Sequence, residues 1–134
     1  VYDMLKDFDV EKQVKVISNY LRAWEDVFDI KFNNRRKPKT LEKILGLQYV
    51  LCIYPCIYNI LNNRKETLNE DNVKNIVNNI KINILDKLGS DNNAKKAFFS
   101  SDSGVTGFAK KTSDEISKYY KEMDGNTFDP LADI

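Results

Sequence analysis

Histidine is absent from this chain. That excludes the Ser–His and Cys–His pairs on which most nucleophilic catalysis depends. Carboxylates are present but scattered over polar helix faces, away from the apolar neighbours that would raise their pKa. The chain is therefore expected to be non-catalytic. Cysteine is nearly absent too, with only Cys52 and Cys56. Four residues apart on a helix, they share one face, but two thiols fall short of the four ligands of a structural zinc site. The expectation is two reduced, buried thiols that act as small hydrophobes, with no metal and no cofactor; the alternative is a redox pair or partial metal site. So few cysteines suit a reducing, cytoplasmic compartment. Net charge is small, 21 basic against 20 acidic residues, so no global field draws the chain to nucleic acid or membrane. No basic start leads into an apolar run, as a signal peptide would need. Strand alternation, repeats and low-complexity tracts are all missing.

Charge is also absent from residues 44–61, ILGLQYVLCIYPCIYNIL, although 31% of the chain is charged. This stretch is the expected central helix. It reaches the lower length limit of a membrane span, but Gly46, Gln48, Pro55 and Asn59 make it a poor one, and no membrane partner is expected. Pro55 lacks the N–H of a ladder bond, so the helix should be kinked there or broken near Tyr54. Around it the periodicity predicts an all-α fold of four main helices, with a short helical insert at 94–99 before the last. Val10, Val14, Ile17, Leu21, Trp24 and Phe28 form one helical stripe, with Asp9 as N-cap. Thr40 is placed to cap the central helix from Leu41. Thr67 and Glu70 read as a capping box before Val73, Ile76, Val77, Ile80, Ile84 and Leu88, with Gly89 as C-cap. Phe108, Ile116, Tyr119 and Met123 mark the last helix, ended by Gly125. Ile17, Leu21, Trp24, Leu47, Leu51, Ile57, Ile76, Ile80 and Ile116 are the expected core. At 134 residues the chain reads as one domain, opening on Val as a piece of something longer would, with 124–134 as a tail or linker.

Two stretches look functional. Residues 31–43 hold six basic groups against one acid. Arg35, Arg36, Lys37 and Lys39 form a basic knuckle on a loop signalled by Asn33, Asn34 and Pro38. It reads either as a solvated loop or as a contact for nucleic-acid phosphates; the lack of interleaved aromatics argues against base stacking. The second is the small-residue run Ser103, Gly104, Thr106 and Gly107. Ahead of a helix it would expose backbone N–H groups to an anion, or serve as an ordinary N-cap and turn.

The order of these features resembles the C-terminal helical part of DGQHR-domain proteins, including the DndB-like proteins associated with DNA phosphorothioation. The likeness runs over residues 10–121. It rests on a first helix containing Val16, Ile17, Ser18, Asn19, Tyr20, Leu21, Arg22 and Ala23, then Lys39-Thr40, Gly46 and Pro55 in the apolar helix, Phe98-Phe99, and Ser103-Gly104. The naming DGQHR motif is absent, as it would be if the N-terminal half lay outside this chain. The resemblance implies a helical domain of a parent protein in bacterial DNA modification or phage defence, assisting DNA binding or regulation. Its partners would be DNA and the parent's N-terminal half. The alternative is a helical module for protein–protein contact or homo-oligomerisation, with no DNA role.

Overall fold

In the computed structural model, residues 2–34, 36–86, 101–120, 129–132 and 134 are described. Arg35, the helix end at Leu88 and Gly89, the insert at 94–99, Met123 and Gly125 lie outside the described residues. The fold is all-helical, with no strand among the described residues. Among the described residues one turn, α1 (Tyr2–Leu5), precedes four main helices: α2 (Val10–Phe28), α3 (Ile44–Arg64), α4 (Glu70–Ile80) and α5 (Asp102–Ser117). A short π-helical segment, Lys81–Leu85, continues α4.

Helix α2 begins where its sequence says it should. The Asp9 carboxylate accepts a hydrogen bond from the Lys12 backbone N–H at 2.8 Å, satisfying one of the orphan donors of the first turn. The Gln13 amide donates to the carbonyls of Leu5 and Phe8, both at 2.9 Å, and ties α1 to α2. The buried face differs from the expected stripe. Val16, Tyr20, Ala23 and Trp24 are buried, while Ile17, Leu21 and Phe28 are half-buried and Val10 and Val14 are 73% and 56% exposed. The rotation is about one residue, or roughly 100° around the axis. Tyr20 causes it: its ring enters the core and its hydroxyl donates to the Val50 carbonyl of α3, so a polar-tipped residue takes the central position that size and hydropathy assign to Leu21.

Helix α3 is the centre of the fold. Tyr49, Val50, Ile53, Tyr54, Ile57, Ile60 and Leu61 are all buried. It packs on α5, and α2 packs on α4. Trp24 is a core anchor as expected, edge-on to Tyr20 and Tyr49 and stacked on Phe28 at 5.7 Å. Tyr49 in turn stacks on Phe108 of α5 at 5.1 Å and shares a 2.7 Å hydrogen bond with Thr112. Each aromatic hydroxyl that reaches a partner allows a large ring to be buried without an orphaned polar group. By length and composition α3 is apolar enough to cross a membrane; in this fold its apolar side is the surface on which the other helices pack. Of the expected core, Trp24, Ile57, Ile76, Ile80 and Ile116 are buried, whereas Ile17, Leu21, Leu47 and Leu51 are half-buried at its edge.

Several helix boundaries differ from the sequence signals. Thr40–Glu42 is a separate 3-10 turn, and α3 starts at Ile44 with Lys43 at its N-cap. The helix is not divided at Pro55: it continues as one span to Arg64. Pro55 is exposed, so its ring is not forced into the packed core, and burial of Ile53, Tyr54 and Ile57 around it holds the helix across the missing rung. Helix α4 is capped by Asn69, not Thr67; the Asn69 side chain accepts from the Asn72 N–H at 2.9 Å. The two thiols also depart from expectation. Cys52 is exposed and Cys56 half-buried, both free; they line a groove at the edge of the α3–α5 contact, where Cys56 packs against the margin of the core. The end of the chain is no loose tail where it is described. Leu131 is buried, and the Leu68 N–H donates to the Pro130 carbonyl at 2.8 Å.

Candidate nucleic-acid interface

The basic stretch between α2 and α3 is a built loop organised by one carboxylate. Glu42 is the lone acid of residues 31–43, and it is only 7% exposed. Its Oε2 accepts from the Lys31 N–H at 2.6 Å. Its Oε1 accepts from the Lys39 N–H at 2.7 Å and the Asn34 side-chain amide at 3.1 Å. Both ends of the loop are thereby pinned to one side chain. Glu25 adds a second anchor, its carboxylate accepting from the Phe32 N–H at 3.2 Å. Asp29, at φ 52°, ends α2 in the left-handed region and turns the chain into the loop. The Arg36 N–H donates to the Asn34 side chain at 3.0 Å.

These bonds set the titration of Glu42. The Lys39 backbone amide contributes most, the Lys31 amide next, and together with Asn34 they outweigh burial and hold the carboxyl below its usual range. A group with a lowered folded pKa stabilises the fold above its unfolded value, about 4.3 for Glu, and that stability is lost as pH falls through the folded pKa. Glu42→Gln is therefore expected to melt below the parent at neutral pH, with the gap closing as pH falls through the carboxylate range. Thermal melts followed by circular dichroism across that range check this; two curves that stay parallel would contradict the anchor role.

With the backbone fixed, the cations point outward. Lys31, Arg36, Lys37, Lys39 and Lys43 are exposed. Among the described residues, none of Lys31, Arg36, Lys37 and Lys43 forms an ion pair. Lys39 differs, because its ammonium donates to the Asp29 carbonyl at 3.0 Å and ties the loop to the end of α2. Lys37 has φ 46°. A non-glycine residue in that region stores strain on the order of 1 kcal/mol, and here it is held directly before Pro38. Of the four residues singled out by sequence, Arg36 and Lys37 are exposed cations, Lys39 is a structural tie, and Arg35 lies outside the described residues. Lys31 and Lys43 join the cluster, and Glu42, which the sequence marked only as an isolated acid, is its organiser.

The Ser-Gly run is not a loop. Ser103, Gly104, Thr106 and Gly107 lie in the first turns of α5. Ser101 is the N-cap, its hydroxyl accepting from the Gly104 N–H at 3.1 Å. The Thr106 hydroxyl donates to the Asp102 carbonyl at 2.9 Å. A Cβ at Gly107 would meet nothing within 4 Å, so no close approach requires glycine there. Asp102 places a carboxylate in the first turn, where it satisfies the positive helix end and opposes a second anion. No hydrogen bond or ion pair joins this helix start to the basic loop among the described residues. Nor does any group of three or more His, Cys, Asp or Glu among them form a metal-binding cluster.

No family model, curated protein or solved structure matches this chain.

Proposed function

We propose that this is a non-catalytic helical domain that contacts the phosphate backbone of nucleic acid through the 31–43 loop. The observation that carries the reading is the pairing of a fixed backbone with free charge. Lys31, Arg36, Lys37 and Lys43 project from a loop pinned by Glu42, and none of them forms an ion pair among the described residues. Such a surface positions a protein on a duplex without reading bases. The setting implied by the DGQHR resemblance, bacterial DNA modification or phage defence, fits a domain that adds affinity to a sequence- or modification-reading partner domain. The test is a fluorescence-anisotropy titration of the chain with two duplexes of unrelated sequence. The expected result is weak binding to both, with Kd in the range of about 10⁻⁴–10⁻⁶ M. No binding to either at low salt would end this reading.

A protein-contact role is the second reading, favoured by the exposed Val10 and Val14, one turn apart on α2. Concentration-dependent dimerisation in sedimentation, abolished by Val14→Lys, would support it.

A further inference from the structure

We propose that Cys52 and Cys56 bind a soft, thiophilic monovalent cation of the Cu(I) class between their two sulfurs. This goes beyond the nucleic-acid reading and does not rest on it. Both thiols are free and both line a groove of about 470 Å³ between α3 and α5, with Pro55, Asn59, Ser113 and Asp114. Cys56 is held toward that groove by weak contacts: its Sγ lies 3.7 Å from the Ser113 carbonyl and 3.6 Å from the Ser117 hydroxyl.

The spacing selects the ligand. Side chains four apart on a helix have Cβ atoms about 5–6 Å apart. A disulfide needs about 3.5–4.5 Å, so the pair does not close on itself while α3 is intact. Two bonds of about the zinc–sulfur length of 2.3 Å, set in line, span about 4.6 Å between sulfurs, a separation that thiols on Cβ atoms about 5–6 Å apart can reach by rotation about χ1. Thiolates favour soft cations such as Cu(I). Zinc would need further ligands, and no third Cys, His, Asp or Glu completes a cluster among the described residues. Pro55, between the two thiols, has no N–H for the Leu51 carbonyl, so this turn has one rung fewer and more freedom to adjust the sulfur separation. On binding, each S–H proton passes to solvent as its S–Cu bond forms. No electron moves, and affinity falls as pH is lowered.

The test is anaerobic titration of the reduced full chain with Cu(I) against a chromophoric Cu(I) chelator, beside Cys52→Ser and Cys56→Ser. The expected result is one Cu(I) per chain, two sulfur neighbours by X-ray absorption, and loss of affinity exceeding about 100-fold in each variant, more than loss of an outer-shell partner costs. Circular dichroism confirms the fold; Cys52 is exposed, so Cys52→Ser carries the test alone if Cys56→Ser loses helix. Overturning results are failure of the chain to take Cu(I) from the chelator, a stoichiometry other than one, or a folded serine variant that binds within about tenfold of the parent.

Discussion

Ile57→Ala is expected to lower the unfolding free energy by about 2–5 kcal/mol, the range for emptying a fully buried large aliphatic site. Ile57 lies in the second half of α3 with no exposed surface, within the core cluster. Domains of this kind have about 5–15 kcal/mol in total, so one such cavity removes a large fraction. Leu51→Ala on the same helix is the control. Leu51 is half-buried, so less apolar surface is lost and neighbours or water can fill the gap; its loss should be well below that of Ile57→Ala. Urea unfolding of the two variants, with the slope unchanged, reads the difference directly. Equal midpoints would contradict the assignment of the buried side of α3.

The second large effect concerns the loop. A variant carrying Arg36→Ala, Lys37→Gly and Lys43→Ala is expected to bind duplex DNA roughly 10–100-fold more weakly at low salt, from three exposed charge contacts worth up to about 1 kcal/mol each. The substitutions are chosen so that the fold is not the casualty. Lys37→Gly relieves the left-handed backbone instead of carrying it into alanine, and all three side chains are solvent-exposed. Lys39 is left in place because its ammonium ties the loop to the Asp29 carbonyl. Affinity unchanged in a variant with parental helix content would remove the loop from the interface.

The existence of α2, α3 and α4 was legible for two reasons. Apolar residues recur at helical spacing, and the uncharged stretch 44–61 is too apolar to stay in water on all sides. The buried face of α4 was legible as well, since Val73, Ile76, Val77 and Ile80 of its stripe are buried; the face of α2 was not. A stripe of Val, Ile and Leu on α2 outranks Val16, Tyr20 and Ala23 on any hydropathy measure, yet the hydrogen bond from Tyr20 to Val50 and the small side chain of Ala23 decide which side packs. Asn69 prevailed over Thr67 as a cap because it lies directly before the first helical residue. Proline predicts a kink or a break from local chemistry alone; the break does not occur, because Pro55 sits at an exposed position and the helix continues through it. The basic loop was visible as composition. Its rigidity was not, since it depends on Glu42 meeting three donors from residues 31, 34 and 39, a convergence that spacing does not encode. The thiols were read as buried because their neighbours are apolar, but they sit at the open edge of the α3–α5 contact, where the last helix covers Cys56 only in part and leaves Cys52 exposed.

The most direct test of the loop as a phosphate-binding surface is the dependence of duplex affinity on salt, for the intact chain and the triple variant. Each phosphate neutralised contributes about 0.9 to the slope of log K against log salt. Loss of three contacts should make the slope shallower by about 2.7, alongside the fall in affinity. Identical slopes in the two proteins, or binding that does not weaken as salt rises, would contradict it.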